Sequence, residues 1–382
     1  MTDRERGPYE MLLDRAAQDN VPISALLELT NACNVDCEHC YLDLVPDKKL
    51  GVLTTDDWKR VFRELADEGT LFMTLTGGEI MMRPDWFELA SHARELQFAL
   101  RLYTNGTMID ETRADHVASL EPLGVEISLL GATAETHDAI ARRRGAFEKT
   151  MRGVRLLRER GLNVLLKTVV MEKNVADLPK IEVIARELGC ETFFDLQISP
   201  KNDGTQTPTT LGPDAAALLE AARTAFAKQQ TTCSHDSHFD REAKLRAAPC
   251  GAGRRTVFIG PTGKVTPCTQ WTKELGNVRD QPFGEIWWGA EGFKEIRSKR
   301  IGSFEVCRSC DLLEVCTPCM ALSVLERGVV DGPSPTKCRN AAVRAKALGI
   351  PGVPAGLALA KVEKTSELVQ LRLPSRTNTK VA

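Results

Sequence analysis

From residue 23 to about 230 the chain alternates short apolar runs with longer amphipathic ones, and this regularity restricts its folds more than any other feature. The apolar pieces at 23–30, 71–76, 99–104, 125–130, 163–171 and 192–198 read as strands. The intervening pieces at 54–69, 85–97, 111–120, 147–160, 178–188 and 213–228 read as helices. The first has Thr54 or Thr55 as N-cap, acids at Asp56 and Asp57, and Gly69 at its end. Six such βα units predict an α/β fold with a parallel sheet and helices packed outside it. They suit a partial (β/α)6 TIM-like barrel, whose open side would admit a large substrate. Chemistry in such folds sits at the C-terminal ends of the strands. Among 382 residues, 42% are hydrophobic and 27% charged, enough for a sizeable core. A net charge of -2 gives no reason to expect nucleic acid or membrane as partner. Residues 1–7 lack a signal-peptide core, and no apolar run reaches the roughly 18 residues of a membrane span. The expected location is the cytoplasm.

The 12 cysteines are clustered, which in a large intracellular chain points to metal or redox chemistry rather than disulfides. Cys33, Cys37 and Cys40 follow the first strand directly, with spacing C-x3-C-x2-C. Steps of four and three would also fit a buried helical stripe. Against that, Asn34, Asp36, Glu38 and His39 between them suit an exposed loop. Zinc in a structural site takes four protein ligands, whereas three thiolates in one loop can hold three irons of a four-iron cluster. The fourth iron is then open to a small molecule.

The triplet resembles the signature of the radical S-adenosylmethionine (radical SAM) superfamily, and the resemblance extends over residues 23 to 340. It implies a [4Fe-4S] cluster on Cys33, Cys37 and Cys40 whose free iron is chelated by SAM. One electron would then cleave SAM to a 5′-deoxyadenosyl radical, with the cofactor carrying the hard chemistry. Thr76-Gly77-Gly78-Glu79 after the second strand resembles the family's GGE motif, in which Glu79 would accept from the SAM ammonium. The same residues also read as a strand-to-helix turn. Asn105 in Tyr103-Thr104-Asn105-Gly106 resembles a family contact, though Asn-Gly is also an ordinary turn. Ser128 lies where the family touches the SAM ribose, but Leu129-Leu130-Gly131 follows it in place of the usual acid-containing continuation. His39 takes a position close to adenine in the family, or is a solvated loop histidine. Asp195 and Gln197 share a strand face by period two and line the cavity or form a satisfied polar pair.

Residues 250 to 338 hold seven more cysteines: Cys250, Cys268, Cys307, Cys310, Cys316, Cys319 and Cys338. CxxC pairs commonly bind zinc. The order also resembles the SPASM extension, with one departure: only Thr317 and Pro318 separate Cys316 from Cys319. The resemblance implies two auxiliary [4Fe-4S] clusters, one on Cys250, Cys268 and Cys319, the other on Cys307, Cys310, Cys316 and Cys338. The first has only three ligands, with Cys233 a remote candidate for the fourth. Cys190, at a helix end, reads as a packing residue. The segment 250–340 looks too poor in periodic apolar sequence to build much core, so metal would hold it together.

The domain plan expected is an N-terminal extension at 1–22, a radical SAM barrel at 23–231, a SPASM domain at 232–348 and a tail at 349–382, with 375–382 disordered. The resemblance favours a peptide or protein substrate, as in the maturation of ribosomally synthesised precursor peptides. It also leaves open a small molecule such as a tetrapyrrole or sugar, and the oxidation of a sulfatase residue to formylglycine. A non-enzymatic metal-binding module would not need Cys33, Cys37, Cys40 and Glu79 together. The 22 residues before the first strand are too few for a leader-binding module. A separate leader-peptide-recognition protein is therefore expected, as is an external flavodoxin- or ferredoxin-like electron donor.

Overall fold

The computed structural model describes residues 7–230 and 239–350. Cys233 and residues 375–382 lie outside the described residues. Local sequence chemistry sets most of the elements. Helix α1 (Pro8–Asp19), which the sequence pattern did not indicate, has proline in its first turn and a left-handed Asn20 at its end. Strand β1 (Ser24–Glu28) and a single-turn helix α2 (Asp47–Leu50) follow. Helix α3 (Thr55–Asp67) starts in a reciprocal capping box: Thr54 accepts from the Asp57 N–H, and Asp57 accepts from the Thr54 N–H. Next come β2 (Phe72–Thr76), α4 (Trp86–Glu95), β3 (Ala99–Thr104) and α5 (Glu111–Ser119), capped by Asp110. Strand β4 (Gly124–Ser128) leads into two helices, α6 (Ala134–Ala141), which was not expected, and α7 (Ala146–Glu159). The region closes with β5 (Val164–Val169), α8 (Leu178–Glu187), β6 (Glu191–Asp195) and α9 (Ala215–Gln230).

Strands β1 to β6 pair in parallel in chain order. Leu27, Leu75, Leu102, Ile127 and Leu166 enter the main apolar core together with Trp58, Phe62, Leu89, Val154 and Ile181 of the helices. Alternate residues therefore face the opposite, inner side of the sheet. This is the partial (β/α)6 barrel that the alternation predicts. The expected sixth strand was too long: after Asp195 the chain turns back, the Gln197 N–H bonding the Asp195 carboxylate at 2.9 Å.

The C-terminal third departs from expectation. Helix α10 (Arg241–Arg246) is followed by β7 (Thr256–Ile259), β8 (Lys264–Thr266) and β9 (Gly276–Asn277). Helices α11 (Phe283–Gly289), α12 (Glu291–Ser298), α13 (Met320–Arg327) and α14 (Pro335–Ala347) complete the described chain. Strand β7 pairs in parallel with the free side of β1, giving one nine-stranded sheet ordered β6-β5-β4-β3-β2-β1-β7-β8-β9. Val257, Ile259, Val265, Val278, Phe283, Ile286, Trp287 and Phe293 belong to the main core. The expectation that 250–340 contributes little apolar core is thus wrong up to Phe293. Its apolar residues are divided among pieces of two to eight residues, too short for a periodic signal, and they extend a core built elsewhere. Beyond residue 300 the expectation fares better: only small groups such as Leu312, Ala341, Ala342 and Ala345 lie there. No helix among the described residues is long and apolar enough to cross a membrane.

Candidate active site

The loop from Thr30 to Asp47 leaves the end of β1 and is fixed from four directions. From its own far end, Asp47 receives the Thr30 hydroxyl at 2.5 Å and the Asn31 N–H at 2.9 Å. From β3, Asn105 donates through Nδ2 to Asn34 Oδ1 at 2.9 Å and lies 3.9 Å from Cys33 Sγ. From α6, the carbonyls of Ile140 and Ala141 accept from the Glu38 and Asp36 N–H groups. From the segment after β6, Lys201 bonds Asp43 at 2.7 Å. Burial pushes all three thiols up, Cys40 to about 11, with Cys33 and Cys37 likewise raised. At neutral pH they are protonated, so binding iron must expel their protons. The Cys40 N–H bonds the Cys37 carbonyl at 3.0 Å, which holds these two cysteines in one turn of the loop.

Gly77 and Gly78 lie against this loop. A Cβ on Gly77 would meet Thr30 O at 2.8 Å, and one on Gly78 would meet Ala32 O at 2.5 Å. The Gly78 and Glu79 N–H groups bond Thr30 O and Ala32 O at 2.9 and 2.8 Å. The glycines therefore permit a close approach between backbones, and any side chain there would displace the cysteine loop. The Glu79 carboxylate is wholly buried. It accepts from the Asn105 N–H at 2.7 Å, the Met81 N–H at 3.1 Å and the Thr104 hydroxyl at 2.8 Å. Burial raises its pKa and these donors oppose the rise. Glu79, Asn105 and Cys33 thus form one constellation, and the Asn-Gly turn is also real, since the Thr107 N–H bonds Asn105 Oδ1. Ser128 ends β4 opposite Lys167 in register. His39 has a buried Nδ1 without a partner, and desolvation lowers it to about 4, so it is not the solvated loop histidine.

Sequence reasoning missed three features. Asp47 is one, because a carboxylate 16 residues away capping a loop leaves no local signature. The buried pair of Tyr41 Oη and Glu28 Oε1 at 2.5 Å is the second. Burial raises Glu28 to about 7. The third is a polar group on the inner face of the sheet. Arg101 reaches Glu126 at 2.8 Å, Lys167 reaches it at 3.5 Å, and the Lys167 ammonium stands 5.0 Å from the Tyr103 ring centre. One signal existed: charged residues within strands buried on both faces are unusual in parallel sheets.

Burial, then Cys319 and Cys250, pushes Cys268 up to about 12. Burial, then Cys316, Cys307 and Cys310, pushes Cys338 up to about 12. Among the described residues no three His, Cys, Asp or Glu side chains converge as a single-ion site. Cys190 packs against the main core. Asp195 and Gln197, besides bonding each other, line a cavity of about 410 Å³ between β6 and α14, with Cys316, Thr317, Lys337 and Asn340 on its far wall.

Residues 27–181 match the Radical SAM superfamily, and residues 250–311 match SPASM, an iron–sulfur cluster-binding domain. The mycofactocin maturase MftC of Mycobacterium tuberculosis is 31% identical over 328 residues, covering 83% of each chain. The AdoMet-dependent heme synthase of Methanosarcina barkeri is 29% identical over 334 residues, covering 82% of this chain and 95% of its own. Among solved structures, Streptococcus suis SuiB bound to the precursor peptide SuiA superposes with a TM-score of 0.64 at 17% identity, covering 87% of this chain and 82% of that one.

Proposed function

From the premise that this chain is a radical SAM enzyme with a SPASM domain, we propose that it cleaves SAM reductively and uses the resulting 5′-deoxyadenosyl radical to take a hydrogen from a peptide substrate, in the maturation of a ribosomally made precursor. Iron–sulfur clusters and SAM are the cofactors these domains imply. Cys33, Cys37 and Cys40 would hold the SAM-binding cluster. Glu79, fixed by three donors, would receive the SAM ammonium. Gly77 and Gly78 would keep the backbone low beside it, with Asn105, Ser128 and His39 as further contacts. Cys250, Cys268 and Cys319 would hold one auxiliary cluster, and Cys307, Cys310, Cys316 and Cys338 the other. On the inner face, Arg101, Glu126, Lys167 and Tyr103 supply a polar floor able to orient substrate and hold protons. The observation that supports this proposal most is the buried Glu79 carboxylate bonded to the Asn105 N–H, with the Asn105 amide reaching the cysteine loop.

Anaerobic iron and sulfide analysis tests it. Three four-iron clusters give about twelve irons, and a Cys33/Cys37/Cys40→Ala triple variant should retain about eight. About four irons in the wild type, all lost in the variant, would remove the auxiliary clusters. SAM cleavage under dithionite must yield 5′-deoxyadenosine, since a pure binding module yields none.

The peptide substrate is supported by the maturase relative and by the peptide-bound SuiB structure. Working in the cytoplasm, the enzyme would use a separate leader-recognition protein and a flavodoxin- or ferredoxin-like electron donor. Equal affinity for full-length precursor with and without such a partner would sink that part. The heme synthase relative favours a second proposal, a tetrapyrrole substrate. A short precursor gene or tetrapyrrole genes beside this one would separate the two.

A further inference from the structure

Three consecutive exposed arginines, Arg142, Arg143 and Arg144, make the turn between α6 and α7. This turn lies beside the cysteine loop. The Asp36 N–H bonds the Ala141 carbonyl at 3.2 Å, and the Glu38 N–H bonds the Ile140 carbonyl at 3.1 Å. Cys37 packs against the small apolar group that contains Ala141 and Ala146, the residues on either side of the turn. The acids of the loop already have partners of their own. Asp36 pairs with Arg142 at 3.5 Å, Glu38 with Lys173 at 2.7 Å and Asp43 with Lys201 at 2.7 Å, while Asp47 holds Thr30 and Asn31. Asp138 of α6 accepts from the Gly145 and Phe147 N–H groups at 2.5 and 2.8 Å. Arg142 is thus explained by the fold: it pairs with Asp36 and closes α6 in a left-handed conformation, φ 49°. Arg143 and Arg144 are not. Among the described residues their side chains make no ion pair and no hydrogen bond, and exposed Glu148 in the first turn of α7 pairs with neither. Two unmatched guanidinium groups, charged at any working pH, therefore stand beside the cysteine loop.

Resting on the radical SAM reading above, we propose that the Arg143–Arg144 turn is the docking surface for an acidic one-electron carrier protein of the flavodoxin or ferredoxin class. The carrier loses one electron and the site on the cysteine loop gains it, the electron that reductive cleavage of SAM consumes. Unmatched exposed cations add little to stability, but they attract a surface of opposite charge and speed its encounter. A carrier must come close to the cysteine loop, and here surplus positive charge and that loop coincide. Nucleic acid would call for a longer basic track that neutralises many phosphates. Arg143 and Arg144 position the carrier and take no part in the chemistry.

The test uses the full chain, reconstituted anaerobically, as wild type, Arg143→Glu/Arg144→Glu, Arg143→Lys/Arg144→Lys, and Arg63→Glu as a control at an exposed arginine of α3. Calorimetry gives the Kd of an oxidised acidic flavodoxin and of an oxidised acidic ferredoxin at low and at high salt. Formation of 5′-deoxyadenosine is then measured with dithionite and with the reduced carriers. In the double glutamate variant the Kd of at least one carrier should rise about tenfold at low salt, and the difference should shrink as salt screens it. Its rate with subsaturating carrier should fall by a similar factor, while its rate with dithionite stays at the wild-type value. The double lysine variant and Arg63→Glu should bind as the wild type does. The proposal is overturned if neither carrier loses affinity, if Arg63→Glu weakens binding as much, or if a hexaglutamate peptide binds as tightly as the carriers. A dithionite rate that falls along with the carrier rate also overturns it, because the turn would then serve to shape the cysteine loop. A wild type that yields no 5′-deoxyadenosine even with dithionite overturns the radical SAM reading, and the proposal with it.

Discussion

Replacing Trp287 with alanine should destabilise the whole barrel, although the residue belongs to the Cys-rich third. Its side chain is fully buried. The indole centre lies 4.9 Å from Phe293 and 6.0 Å from Phe283, and the Arg297 guanidinium stands 4.5 Å from the ring centre. Its Nε1–H donates to the Asn20 carbonyl at 2.7 Å, which ties α11 to the end of α1. Emptying such a site costs about 3–5 kcal/mol. The unpaired Asn20 carbonyl adds about 1 kcal/mol. A total of about 4–6 kcal/mol rivals the whole stability of an ordinary fold, about 5–15 kcal/mol. Amide hydrogen exchange read by mass spectrometry is the assay. If one core serves both parts, opening becomes easier everywhere, and a loss of about 4 kcal/mol speeds exchange about a thousandfold. The amides of β2 and β3 should accelerate along with those of β7 and α11. If β2 and β3 keep wild-type rates while only 256–298 accelerate, the C-terminal third is an independent unit and the shared-core argument is refuted.

Three further predictions follow from individual contacts. Thr104→Val removes the hydroxyl that donates to Glu79 and accepts from the Gly106 N–H at 3.0 Å. It should weaken SAM binding at least tenfold by calorimetry, since one charge-assisted hydrogen bond contributes about 1.5–3 kcal/mol. His137 accepts from the Leu130 N–H through Nδ1 at 3.2 Å, and burial lowers its pKa from 6.5 to about 4. Folding therefore favours the neutral ring: its contribution is full above pH 6.5 and fades as the pH falls towards 4. Relative to His137→Gln, the wild type should lose about 2 kcal/mol between pH 7 and pH 5 in denaturant titrations; parallel pH profiles would count against this. Arg83 is buried, pairs with Asp85 at 2.7 Å and donates to the carbonyls of Leu29 and Leu53 at 2.9 and 3.0 Å. Arg83→Met strands those carbonyls and should cost about 3–5 kcal/mol of unfolding free energy, whereas a change below about 1 kcal/mol would mean that water replaces the guanidinium.

What the sequence disclosed follows the range of the interactions involved. The six βα units were legible because each strand and helix carries its own period, and α3 even shows its capping box as Thr54 and Asp57. The Cys33, Cys37 and Cys40 triplet was legible because its spacing is local to one loop. Long-range features stayed hidden. The pairing of β7 with β1, Asp47 under the cysteine loop and the Arg101–Glu126–Lys167 group all join residues far apart in sequence. Helix α6 was missed because eight residues give barely two turns of pattern.

The place of β1 in the sheet has a consequence for how the protein is made. Ser24 pairs with Phe72 on one side and with Thr256 on the other. The second neighbour emerges from the ribosome 232 residues after the first strand (256 minus 24). At about 5–20 residues per second, that is roughly 10–50 s of synthesis. Throughout it, the strand leading into the cysteine loop keeps one unpaired hydrogen-bonding edge, open to the wrong partner. Closing so distant a parallel pair is also intrinsically slow. The nascent chain thus carries the cysteine loop beside an open strand edge until the last third arrives, so slow expression and chaperone supply should govern the yield of intact protein.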